Sequence, residues 1–139
     1  MKSDNEIFID ASFFCAFYNE NDALFKKASS YIELLNTKKI FTSNFILLES
    51  YTVISQRVSK KAAIEFGKTI QNMPEIKIIK VDQDLEKSSW GIFEIISDKN
   101  MSYVDCSTIA LMQEYSIKQL LTFDSHFKKH TKQFGYKIV

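Results

Sequence analysis

At 139 residues, with 45% hydrophobic and 25% charged side chains, the chain has the size and composition of one ordinary globular domain, residues 1–139, with a core of its own. A net charge of +1 excludes a uniformly polycationic molecule, and no apolar run approaches the length of a membrane span. The N-terminus has no apolar targeting core, and Cys15 and Cys106 lack CxxC spacing, so the expectation is a cytoplasmic protein with reduced, packed thiols.

Glu6-Ile7-Phe8-Ile9-Asp10 reads as a short buried strand that ends in an acid. Ala11 to Phe17 reads as helix, with Phe13, Phe14 and Phe17 on one face. After a polar break at Asn19, Asp22 stands where it can cap a helix over Ala23 to Leu35, striped by Leu24, Ala28, Tyr31, Leu34 and Leu35. Lys39 to Thr42 is a second strand. Ser43 or Asn44 caps a helix from about Phe45 to Val58, crowded with apolar residues among which Glu49 lies. Ser59 caps the next helix, which Pro74 stops near Met73. Ile76 to Val81 is a third strand, and Asp82 caps a helix running to Ile96. A polar loop, Ser97 to Ser102, leads into a helix over Tyr103 to Tyr115. Gln119 to Thr122 is a fourth strand, followed by a short helix to about His130 and an edge strand from Gly135 to Val139.

Strands that alternate with helices predict a three-layer α/β/α fold, its mostly parallel central sheet covered on both faces through right-handed crossovers. The three glycines, Gly67, Gly91 and Gly135, lie in no phosphate-cradling loop, which argues against a dinucleotide site or a P-loop. From Lys118 onward the chain carries +4, a basic C-terminal face that suits a polyanionic partner as well as a solvated surface.

Four acids stand out. Asp10 and Asp124 each close an apolar strand, Glu49 lies early in the helix after the second strand, and Asp105 lies at the start of the helix before the fourth. Strand ends and the first turns of the following helices face one edge of such a sheet, where ligands bind. Taken singly, Asp105 and Asp124 are equally explained as helix caps. Together the acids would repel one another, and a hard divalent cation is the natural relief. Oxygen-only ligands favour Mg²⁺ or Mn²⁺, ions that serve phosphodiester hydrolysis.

Ile7-Phe8-Ile9-Asp10-Ala11-Ser12, Leu47-Leu48-Glu49, Tyr103-Val104-Asp105 with Ile109-Ala110, and Leu121-Thr122-Phe123-Asp124-Ser125-His126-Phe127 together resemble the PIN domain. The likeness is nearest to the short VapC-like toxins of type II toxin–antitoxin pairs and runs through the chain in order. A HAD-type phosphatase would need an Asp where Ser12 stands, and a response-regulator receiver an acidic pair where Ile7 to Ile9 are apolar.

The resemblance implies an endoribonuclease using Mg²⁺ or Mn²⁺ held by Asp10, Glu49, Asp105 and Asp124, with Ser12 and Thr122 as supporting hydroxyls. It also implies a homodimer restrained by a small antitoxin protein, and no membrane partner. With Arg57 the sole arginine, RNA phosphates would fall mainly to lysines, including Lys128, Lys129 and Lys132. His126 is expected outside the core of the site. Tyr18, Tyr51 and Trp90 are expected in the core by default, with a groove or dimer interface as the other possibility, and Met101, Met112 and the apolar helix faces of residues 45–73 are candidates for a subunit surface. A housekeeping RNA-processing nuclease and a non-catalytic module that holds a cation or basic partner are the competing readings.

Overall fold

Residues 5–139 are described by a computed structural model; the first four residues of the expected domain, and the targeting reading made on them, lie outside the described residues. The apolar runs pair as five parallel strands: β1 (Glu6–Ile9), β2 (Lys39–Ser43), β3 (Ile76–Ile79), β4 (Gln119–Leu121) and β5 (Lys137–Ile138), in the order β3-β2-β1-β4-β5. β1 is central because Ile7, Phe8 and Ile9 are apolar on both faces, and none of the three exceeds 1% exposure.

Helices α1 (Ala11–Phe17), α2 (Phe25–Ser29) and α3 (Ile32–Leu35) connect β1 to β2, and α4 (Asn44–Arg57) and α5 (Lys60–Gln71) connect β2 to β3. α6 (Gln83–Ile95) and α7 (Tyr103–Glu114) pack on each other and carry the chain back to β4. The winding reverses there, so right-handed crossovers put α6 and α7 on the face opposite α1 to α5. A 3-10 helix (Ser125–His130) and α8 (Thr131–Phe134) lead to β5, with Gly135 taking the left-handed conformation that ends α8.

Side-chain caps set the helix starts. Ser43 accepts from the Ile46 amide, Ser59 from Ala62, and Asp82 from Leu85. The expected helix over Ala23 to Leu35 is divided. Asp22 Oδ1 accepts from Leu24 N at 2.8 Å in a tight turn, so it caps a turn and not that helix. The Ser30 hydroxyl donates to the Lys27 carbonyl, while the Ser30 amide is shared between Lys26 and Lys27, which tightens and ends α2. Met101 and Met112 are 2% exposed and offer no subunit surface. Tyr18 and Tyr51 pack on Phe66, whereas Trp90 is 54% exposed and lies against Phe93 and Tyr103.

Candidate active site

The winding reverses between β1 and β4, and at their C-terminal ends a small hydrogen-bond network forms. The Asp10 amide donates to the Leu121 carbonyl, joining the two strands. Asp10 Oδ2 accepts from Ser12 Oγ at 2.8 Å and from Thr122 Oγ1 at 2.9 Å. Each hydroxyl in turn accepts a backbone amide, Ser12 from Phe123 and Thr122 from Asp124, both at 3.0 Å. Ser12 and Thr122 therefore direct their protons to one carboxylate oxygen while fixing the chain that carries Asp124. These side-chain contacts all fall on Oδ2, which leaves Oδ1 outside the network.

The other acids arrive from separate elements. Asp105 is the third residue of α7, in a capping box: its amide donates to Ser102 Oγ and its Oδ2 accepts the Ser102 amide, both at 3.0 Å. It is at once a helix cap and a wall of the pocket. Asp124 caps the 3-10 helix through Oδ1 and the His126 amide at 3.1 Å, and the His126 ring nitrogen Nε2 lies 3.3 Å from the same oxygen. Glu49 is exposed. Its expected apolar company does not hold, because α4 buries Ile46, Leu47, Ser50 and Ile54 and turns Leu48, 60% exposed, outward beside Glu49.

All four acids and Ser12 line one open pocket of about 260 Å³. Burial is the chief cause of the carboxyl shifts there. Asp10 is held above the usual carboxylate range by burial, against the pull of the Ser12 and Thr122 hydroxyls. Asp105 is pushed up to about 6 by burial, with Asp10 and Asp124 adding to it. Glu49 is raised to about 7 by the packing around it and then by Asp10, Asp105 and Asp124. Although Glu49 is water-accessible, three carboxylates acting on one rim group identify a shared field.

Among the described residues, no three acidic, histidine or cysteine side chains are drawn into a ready-made cation cage. The fit to a cation is one of donor chemistry. Carboxylate oxygens from four elements face a water-open cleft, and Mg²⁺ characteristically keeps several waters and takes few protein ligands.

The same pocket contains residues that the sequence reading assigned elsewhere. Asp22 supplies a fifth carboxylate, and Arg57 joins the wall. Glu49, Val53 and Arg57 recur every four residues along α4, so a helical wheel drawn through Glu49 would have found Arg57. Cys15 reports the local field: burial first, then Glu49, Asp10 and Asp22, push its thiol up to about 12, with Arg57 acting the other way. Of the expected lysines, Lys128 lines a neighbouring cleft, while Lys129 and Lys132 are exposed outside both.

A family model described as the PIN domain matches residues 7–133. The chain belongs to the PIN domain family. This PIN domain is 28% identical, over 121 residues, to the 23S rRNA-specific endonuclease VapC20 of Mycobacterium tuberculosis, a match that covers 87% of this chain and 91% of that protein. Its fold matches the crystal structure of M. tuberculosis VapC20, a Sarcin-Ricin loop cleaving toxin, with a TM-score of 0.83 and 26% identity over 94% of this chain and 96% of that one.

Proposed function

We propose that this PIN domain is a metal-dependent endoribonuclease and the toxin of a type II toxin–antitoxin pair. The observation that carries the reading is the convergence of Asp10, Glu49, Asp105 and Asp124 on one pocket at the reversal point of the sheet. The likeness to an RNA-cleaving toxin over nearly the whole chain supports the activity and the toxin role.

Asp10, Asp105 and Asp124, with Glu49 at the rim, would hold Mg²⁺ or Mn²⁺. When bound, the cation supplies Lewis-acid chemistry, neutralising charge on the scissile phosphate and easing ionisation of an attacking water. Asp10 orients toward the pocket because Ser12 and Thr122 fix its other oxygen. Asp105 is held by its own capping box, which keeps its carboxylate from turning to solvent. Glu49, raised to about 7 by burial and by the three other acids, would give up its proton as the cation enters. The exposed apolar patch of Trp90 and Phe93 on α6 is the surface we assign to a second copy.

The test is incubation of the purified protein with 23S rRNA and with unrelated RNAs, in Mn²⁺ or Mg²⁺ and in EDTA, beside Asp105→Asn. Cleavage that needs the cation and the carboxylate is expected. Cleavage that survives both EDTA and the substitution would overturn the site. Induced expression should arrest growth if the toxin role is right, and co-expression of the antitoxin should restore it.

A further inference from the structure

The acid pocket is one half of a longer depression. A second cleft, of about 180 Å³, lies against it and shares Leu24, Phe123 and Asp124 as a common wall. Each cleft carries its own cationic side chains, not shared with the other. Arg57 lines the first, whereas Lys27 and Lys128 line the second. Lys27 Nζ stands 5.4 Å from the centroid of the Phe123 ring, an attraction that keeps the ammonium over the shared wall.

Arg57 is free to take a partner from outside. It is exposed and forms no ion pair among the described residues, although it is the sole arginine and lines a pocket with five carboxylates. Asp22, which lines the same pocket, already accepts the Leu24 amide. A pocket of acids repels an RNA backbone at every phosphate, but a cation among the acids relieves only the phosphate it touches. Phosphates before and after the cut need charges of their own, and a planar guanidinium is suited to grip one through two hydrogen bonds.

We propose that the two clefts form one track for a single-stranded RNA segment, with Arg57 binding a phosphate on one side of the acids and Lys27 with Lys128 binding a phosphate on the other. The inference rests on the ribonuclease reading and adds the path of the substrate. A single strand is required because Asp10 lies on the floor of the cleft, only 4% exposed. An unpaired backbone can descend to it, whereas duplex phosphates are held on a broad convex surface.

The experiment measures binding of a fluorescein-labelled unpaired RNA 12-mer by anisotropy over a salt series, in an Asp105→Asn background that binds without cutting. Arg57→Ala and the pair Lys27→Ala/Lys128→Ala are compared with Lys61→Ala, an exposed lysine outside both clefts. Either cleft change should weaken binding roughly tenfold. It should also lower the slope of log K against log salt by about 0.7 for each phosphate no longer held. Lys61→Ala should leave both unchanged, and Arg57→Lys should recover the slope but not the full affinity. Equal affinity and slope in the cleft variants and the parent would overturn the track, as would an equal weakening in Lys61→Ala. Failure of the ribonuclease reading would show separately, as absence of cleavage by the unmodified protein.

Discussion

Asp105→Asn separates the stability of this fold from its chemistry. Asp105 is 8% exposed and its carboxyl is raised to about 6 from an ordinary value of 3.8. For an acid raised by folding, the folded state holds the proton more tightly, so ionisation destabilises it. The penalty is absent well below the unfolded value, grows as pH climbs from about 4 to about 6, and is constant above. Two units at ~1.4 kcal/mol each give about 3 kcal/mol above pH 6.5, falling to about 1 kcal/mol near pH 4.5. Asparagine retains an oxygen that can accept the Ser102 amide, so the capping box survives while the charge is removed. The cation-free variant should therefore melt roughly 5–10 °C above the parent at pH 7.5 and only slightly above it at pH 4.5. Mn²⁺ should stabilise the parent strongly and the variant weakly, because a cation offsets charge that the variant lacks. Thermal scans of both proteins at the two pH values, with and without Mn²⁺, read all of this. If Asp105→Asn lowers the melting temperature by the same amount at both pH values, the argument from a buried charge fails and Asp105 acts as a cap alone.

Thr122→Val keeps the shape but removes the proton given to Asp10 and the acceptor for the Asp124 amide. Cation affinity measured by calorimetry, or activity, should fall roughly 10–100-fold. Cleavage in Mn²⁺ should rise as pH climbs through about 6 and about 7, where Asp105 and Glu49 lose their protons. Higher Mn²⁺ should move that rise to lower pH, since the cation competes with protons for the same oxygens. Ser43→Ala, which strips the cap from α4, should cost about 1 kcal/mol in chemical denaturation. Phe127→Ala, emptying a fully buried ring position below the 3-10 helix, should cost about 3–5 kcal/mol.

Features that were legible in the sequence share a cause. Runs such as Ile7-Phe8-Ile9 announce a sheet covered on both faces, and Ser43, Ser59 and Asp82 mark helix starts through hydrogen bonds that span three residues. An acid closing an apolar strand points to the sheet edge for the same reason, and Asp10 and Asp124 are both found there. What escaped depends on contacts that local pattern does not encode. The break near Ser30 arises from a hydroxyl that competes for the Lys27 carbonyl inside an otherwise unbroken stripe. Glu49 stood out because its neighbours in sequence are apolar, yet rotation about the helix axis sets Leu48 and Glu49 outward. Asp22 and Arg57 reach the pocket only because α1 and α4 pack side by side.

The Ser12–Asp10–Thr122 junction also bears on when the acid-bearing edge takes shape during synthesis. Its partners are separated by 112 positions along the chain. During synthesis β1 emerges early and waits without its neighbour β4, so the acid-bearing edge has no fixed geometry until Gln119 to Asp124 have left the ribosome and docked. The pocket is thus among the last features of the fold to be completed, and whatever needs all four acids at once meets a finished sheet.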